Sequence, residues 1–233
     1  MSEIEKPENR SLFRDALMAA TAPLGVAPDS GQEERMWAHF ARMVEANRQF
    51  NLTRITTPAD AAVKHYADSL SLLAVPGIDR GRALNVVDMG TGAGFPAVPL
   101  AIVCPAWRIT AIDGTGKKVR FVAEAAEALG LRNLVARHAR GDEFARMTGA
   151  RFDLVVLRAV AKINPGLVEV QPLVKRGGAI VFYKTTAMGA DEAAAGRKQA
   201  AFLKLNMRDP VDIDLVSADG PLHRRFIVCE RPG

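Results

Sequence analysis

Residues 84–96 read LNVVDMGTGAGFP, a short apolar run closed at once by three glycines spaced two apart. Such a run suits a parallel strand buried on both faces, which needs no polar alternation. The glycines let the backbone turn sharply and approach a ligand closely before a helix opens. WRITAID, FDLVVL and GAIVFY repeat the strand pattern downstream, parted by segments of helical or mixed character. Residues 117–129 read as one helix, with Val119, Val122, Ala123 and Ala126 on a shared face, and ADEAAAGRKQAAFLKL is rich in helix formers. Strands alternating with helices predict an α/β fold, an open and doubly wound sheet with helices on both faces. The late runs VDIDLV and HRRFIVCE fit an antiparallel pair at one edge.

Upstream of residue 84 no strand pattern occurs. Ser30 followed by Glu33 has capping-box spacing, and Met36, Trp37, Phe40, Met43 and Val44 then recur with a helical period. Asn51-Leu52-Thr53 interrupts that helix. Thr57-Pro58 starts another, with Val63, Tyr66, Leu70, Leu73 and Ala74 as its apolar face and Pro76-Gly77 as its end. Residues 1–83 are therefore expected to be a helical extension and residues 84–233 the sheet domain, joined as one structural unit.

Composition narrows the functional classes. A chain of 233 residues that is 48% hydrophobic and 24% charged can bury a core without disulfides or metals. Cys104 and Cys229 sit in apolar runs and form no C-x-x-C or Cys/His cluster, so they are expected as core hydrophobes and no metal site is legible. MSEIEKPENR alternates charges without an apolar core, unlike a signal peptide. The longest uncharged stretch, GTGAGFPAVPLAIVCPAW, is too rich in proline and glycine for a spanning helix. A soluble, cytoplasmic protein is the expectation. Net charge is +5. Up to Ala83 there are 10 Lys+Arg against 11 Asp+Glu, and from Leu84 onward 21 against 15. The basic excess of the second part favours a polyanionic partner mildly; a solvated mixed-charge surface is the equal alternative.

The chemistry concentrates around the glycines. The dinucleotide fingerprint is G-x-G-x-x-G, but here Phe95 stands where its third glycine should fall. Asp88 just before the glycines is an odd neighbour for a pyrophosphate and suits a cationic ligand, such as a sulfonium with an amino-acid tail. Asp113 ends the next strand, 19 residues beyond Gly94, where a carboxylate accepts hydrogen bonds from ribose hydroxyls. Asp88, Gly90, Gly92, Gly94 and Asp113 together read as an S-adenosyl-L-methionine site. The bland alternative is a glycine turn followed by a helix-capping Asp. Phe95 either walls the pocket or packs in the core. Gly141 and Asp142, after the apolar segment Leu134-Val135-Ala136, fall where an adenine would lie, although Asp142 also suits a helix cap. Arg158 directly follows the apolar run FDLVVL; it is the leading active-site candidate, because arginine there is rarely buried unless paired. Lys184 occupies the next strand tip. His65 and Asp68, three apart on one helix, face the cofactor mouth or form a surface pair.

Asn51-Leu52-Thr53, His65 with Asp68-Ser69, DMGTGAGFPAVPLAIV, Lys117-Lys118-Val119-Arg120-Phe121 and Arg158-Ala159 occur in a familiar order. In these elements, spanning roughly residues 51–228, the chain resembles the bacterial ribosomal RNA small subunit methyltransferase G family, also called glucose-inhibited division protein B. The resemblance implies a Rossmann-like methyltransferase sheet of seven strands behind a helical extension. It implies S-adenosylmethionine-dependent methylation of guanine N7 in the decoding region of 16S ribosomal RNA. By matching motif positions it places Gly90, Phe95, Gly141, Asp142 and Arg158 at the cofactor. Gly114, Ala97, Leu157 and Thr185 depart from the usual family residues. If the substrate is RNA, cations must replace counterions along its phosphates; Lys117, Lys118, Arg120, Lys184, Arg224 and Arg225 are the candidates. The rival readings are a small-molecule methyltransferase of the same fold and a non-catalytic RNA- or ribosome-binding protein. A nicotinamide-dependent oxidoreductase is disfavoured by Phe95.

Overall fold

The computed structural model describes residues 6–159 and 161–233, with the Asp142 side chain also outside the description. The sheet runs β3-β2-β1-β4-β5-β8, and β6 and β7 both pair along the outer edge of β8. Its strands are β1 (Asn85–Met89), β2 (Arg108–Asp113), β3 (Leu134–His138), β4 (Phe152–Arg158), β5 (Val174–Thr185), β6 (Asn206–Met207), β7 (Val211–Leu215) and β8 (Leu222–Glu230). β1 to β5 pair in parallel, and β8 runs antiparallel to β5. The expected late antiparallel pair is present, and the sheet has eight strands rather than seven. The extra strand arises because β6 and β7 share one edge, broken near Pro210, which has no N–H to give a ladder.

Parallel strands covered on both sides should send alternate residues to two cores. Leu154 and Val156 of β4 join one apolar cluster while Val155 and Leu157 join the other. The second cluster is covered by α8 (Ile163–Val170) and α9 (Ala190–Phe202), through Ile163, Leu167 and Ala200. The first is covered by α5 (Ala97–Val103) and α6 (Gly116–Ala128), and by the upstream helices α1 (Pro7–Thr21) and α2 (Ser30–Asn47). A short α7 (Gly141–Thr148) follows β3.

α2 is capped by Asp29, not Ser30. The Asp29 side chain accepts from the Gln32 amide at 2.8 Å, and the Gln32 side chain accepts from the Asp29 amide at 3.0 Å. Asp and Gln serve the reciprocal cap as well as Ser and Glu, so the box sits one residue earlier. Proline does open the next helix. α3 (Pro58–Ala61) continues through a π-helical turn, Ala62–Ala67, into α4 (Asp68–Leu70). The helix ends in a 3-10 turn, Ser71–Ala74, where Leu72 is buried in place of the Leu73 that the α period expected. Beyond α2, the Asn47 side chain accepts from the amides of Leu52 (2.7 Å) and Thr53 (3.0 Å), fixing the break in the helix.

The extension shares the sheet's core. Phe13, Trp37, Phe40 and Tyr66 pack ring against ring, with Phe13 and Tyr66 centroids 5.1 Å apart, and Tyr66 meets Phe95 of the glycine loop at the same spacing. The Tyr183 hydroxyl of β5 donates to the Ser69 carbonyl at 2.9 Å. Cys104 and Cys229 are buried and unbridged; burial pushes both thiols up to about 12.

Candidate active site

The glycine loop is pinned to the neighbouring strand before any ligand is considered. The Gly90 and Thr91 amides both donate to the Ile112 carbonyl, at 2.8 and 2.9 Å. Gly92 takes φ +59°, a conformation that costs other residues energy, and a Cβ there would meet no protein atom within 4 Å. It borders a cleft of ≈ 510 Å³ that is also lined by Leu52, Thr53, His65, Phe95, Asp113, Lys118 and Arg158. Gly94 serves packing instead. A Cβ there would lie 2.6 Å from Val98 Cγ2, and Gly94 is not part of the cleft lining.

The two acids of the motif separate. Asp113 lies at the cleft with Oδ2 accepting from the Gly92 amide at 3.0 Å and Oδ1 from Thr115 at 2.8 Å. These bonds hold the carboxylate rigid while leaving lone pairs on both oxygens for a diol. Asp88 is fully buried behind the loop, where Oδ2 accepts from the Ala97 amide at 3.2 Å. The expected contact between Asp88 and a cationic ligand is therefore corrected: it supports the start of α5 and does not line the cleft. Burial raises its carboxyl to about 7 against the lowering effect of its hydrogen bonds.

The opposite wall comes from the extension. His65 stacks on Phe95 with centroids 4.6 Å apart and planes 18° apart, and its Nε2 lies 2.9 Å from Thr53 Oγ1. Phe95 thus does both things the sequence left open, lining the cleft with one part and packing against Tyr66 with another. Burial, then the positive charge of Arg158 and the nearby His39, push the His65 imidazole down to about 3. Behind it, His39 sits fully buried with Nδ1 2.8 Å from the Tyr66 hydroxyl, and burial pushes it down to about 4. Both imidazoles are neutral at pH 7.

Arg158 is held at the cleft from two sides. Its Nε lies 2.8 Å from Asp68 Oδ2, and its Nη2 donates to the Lys64 carbonyl at 2.6 Å. The guanidinium carbon stands 5.7 Å from the Phe95 ring centre. Asp68 is completely buried and also takes Arg224 through both oxygens, at 2.5 and 2.9 Å. The surface-pair alternative for His65 and Asp68 is overturned, since both are buried. One carboxylate shared by two guanidiniums leaves an excess positive charge beside the cleft, with Arg158 Nη1 still free to donate among the described contacts.

The remaining candidates sort by what they already hold. Lys184 pairs with Glu192 at 2.7 Å and donates to the Ala161 carbonyl at 2.6 Å. Arg224 is tied to Asp68, and Arg225 makes a two-point pair with Asp212 at 2.7 and 2.6 Å. All three are thus partnered side chains in this structure. Lys117 and Arg120 are exposed on α6 and Lys118 is half-buried at the cleft, none with an ion pair among the described residues. The Gly141 amide donates to Glu169 Oε1 at 3.2 Å, and a Cβ on Gly141 would crowd Met89 and Glu169. That glycine answers a packing need, and its amide is engaged by Glu169 in this structure. The Asp142 carboxylate lies outside the described side chains. A second cleft, lined by Arg137, Ala139, Arg140 and Phe144, meets the first at Gly114. No group of three or more metal-binding side chains occurs among the described residues.

Comparison with known proteins gives the family. The model of the family described as rRNA small subunit methyltransferase G matches residues 32–212. The Ribosomal RNA small subunit methyltransferase G of Geobacter metallireducens is 35% identical over 94% of this chain and 96% of its own. That of Leuconostoc citreum is 33% identical over 88% of this chain and 86% of its own. Among solved structures, the YcgJ protein of Bacillus subtilis aligns with TM-score 0.55 and 13% identity over 72% of this chain and all of that one. Aeropyrum pernix fibrillarin, solved with natively bound S-adenosyl-L-methionine, aligns with TM-score 0.53 and 12% identity over 70% and 73%. At such identity these structures speak for the fold, a Rossmann-like methyltransferase sheet. With the family match covering most of the chain, the protein belongs to the rRNA small subunit methyltransferase G family.

Proposed function

We propose that this chain methylates N7 of a guanine in 16S ribosomal RNA, using S-adenosylmethionine bound between the glycine loop and Asp113. The observation that carries the reading is the open space beside Gly92 directly against the doubly anchored Asp113 carboxylate, in a chain of this family. When bound, the cofactor supplies a methyl group on a sulfonium, already activated for transfer. Asp113 holds the ribose hydroxyls, and Gly92 gives the backbone room to approach. Phe95 and His65 form a flat apolar wall that excludes water from the reacting atoms.

Guanine N7 carries a free lone pair, so no side chain has to remove a proton before transfer. The wall fits that demand: His65, pushed down to about 3, is a poor proton acceptor and serves as a surface. What the protein supplies is alignment of the nucleophile with the transferred carbon and control of charge around a base that becomes cationic. Arg158 orients by hydrogen bonding; its Nε is committed to Asp68, and Nη1 remains to meet a guanine O6, a phosphate or a carboxylate. No helix among the described residues is long and apolar enough to cross a membrane. Incubating the purified protein with methyl-labelled cofactor and 16S RNA, small subunits or free nucleosides tests the proposal. Label at guanine N7 of the RNA is the expected result. Label on nucleosides alone, or on nothing, overturns it.

A further inference from the structure

A second groove lies beside the methyl-transfer cleft, between the last turns of α2 and the start of α6. It is ≈ 570 Å³, walled by Arg42, Lys117 and Arg120, and floored by Phe50 and Phe121. The three cations are exposed and have no ion pair among the described residues, unlike Arg158, Arg224 and Arg225, each of which has a carboxylate. Of the groove's two acids, Glu45 is already paired with Arg48 at 2.8 Å, and Glu124 has no ion pair among the described residues, so three cations face one unpaired carboxylate. Lys117 stands in the first turn of α6, where the helix dipole disfavours a cation. A net excess of positive charge around a half-buried phenylalanine makes a place for an anion joined to a flat apolar group.

The groove and the cleft are continuous in the chain on both walls. Along α6, Lys117 and Arg120 face the groove while Lys118 faces the cleft. Along the segment after α2, Phe50 floors the groove while Leu52 and Thr53 line the cleft. We propose that the groove holds a nucleotide of the RNA strand next to the target guanosine, its phosphate among Arg42, Lys117 and Arg120 and its base on Phe50. The inference rests on the RNA-methylating reading above and assigns the helical extension a direct part in holding substrate. Aromatic stacking tolerates any base, and the cations read only the backbone, so the subsite adds grip without sequence preference.

The test titrates a short fluorescein-labelled single-stranded RNA against the full-length protein across a salt series, beside cofactor calorimetry and methylation of 16S RNA. The triple variant Arg42→Gln, Lys117→Gln, Arg120→Gln should bind the RNA at least tenfold more weakly, with a salt slope shallower by about 0.7 for the one phosphate no longer neutralised. Its KM for 16S RNA should rise while kcat and cofactor affinity stay within twofold. Phe50→Ala should weaken RNA binding without changing the slope. Cofactor affinity and the melting curve report that each variant is folded. A triple variant that binds RNA like the parent overturns the proposal. So does a parent that binds poly-glutamate as tightly as RNA, with Phe50→Ala neutral, because the groove is then a general anion site. Groove-dependent RNA binding without methyl transfer to 16S RNA would leave the subsite standing and remove the reading of function.

Discussion

Replacing Asp68 with alanine should be among the most damaging single changes available in this chain. The carboxylate has no exposed surface and joins three elements: its own helix α4, β4 through Arg158 and β8 through Arg224. Removing one partner of a buried ion pair typically costs about 3–5 kcal/mol, because the remaining charge stays desolvated. Here two guanidiniums would face each other without their shared anion. Their side chains keep 13% and 12% exposure, so water relieves part of the penalty. The lower end, about 3 kcal/mol, is the expected loss, against a total stability of about 5–15 kcal/mol for a domain of this kind. Urea denaturation followed by circular dichroism reads it as a lower midpoint with an unchanged slope. Adding Arg224→Leu to Asp68→Ala should restore part of the loss, since one stranded charge is removed with its partner. A cost under about 1 kcal/mol, or a double variant no more stable than the single, would refute the argument that Asp68 works as a buried anchor.

Asp113→Ala should weaken S-adenosylmethionine binding by about 1–3 kcal/mol, the range for losing hydrogen bonds to a charged group and its desolvated neighbours; calorimetry on folded variant checks it, and unchanged affinity removes Asp113 from the site. Gly92→Val should abolish that binding while helical content stays at the parent level, because its side chain would occupy space that no protein atom fills and strain a backbone at φ +59°. The third concerns pH: His39, neutral in the fold down to about 4, protonates near 6.5 when unfolded, so its contribution to stability is lost as pH falls from 6.5 to 4, with His65 acting likewise and Asp88 opposing. His39→Gln should flatten the fall by about 1 kcal/mol per pH unit in parallel denaturation series; an unchanged pH profile would show that burial does not lower His39 in the fold.

The sheet and its glycine loop were legible because their signals are local. LNVVDM, the three glycines and the strand ending at Asp113 each follow from a few adjacent residues. Helix faces were legible only while the period stayed regular. Val119, Val122 and Ala126 of α6 are buried as expected, but Ala123 is exposed and Phe121 and Ala125 take its place. The ionic partners were not legible at all. Asp68 and Arg224 are 156 residues apart, and nothing in either neighbourhood names the other. The general statement that an arginine after an apolar strand is seldom buried unpaired did point at a partner for Arg158, without identifying it. Glycines were over-read in the same way: Gly94 and Gly141 look like ligand-facing residues in a motif, yet close packing against Val98, Met89 and Glu169 accounts for both.

The widened turn at Ala62–Ala67 makes this site tolerant of some genetic changes and intolerant of others. A π turn is in effect one residue inserted into an α-helix, and each helical residue advances the chain by about 100°. Thr53 and Phe95 meet His65 within that turn, and Asp68 follows immediately after it. Deleting a single residue from 62–64 would let the helix relax to regular α geometry with Asp68 still facing its arginines, because the widened turn already absorbs the extra residue, whereas adding one more residue there would swing His65 and Asp68 relative to Pro58 by about that angle. The imidazole would leave Phe95 and the carboxylate would leave both arginines in one step. Point substitutions at Ala62 or Val63 change volume alone, whereas an added residue there changes phase, so in this stretch the reading frame of the helix matters more than the identity of its residues.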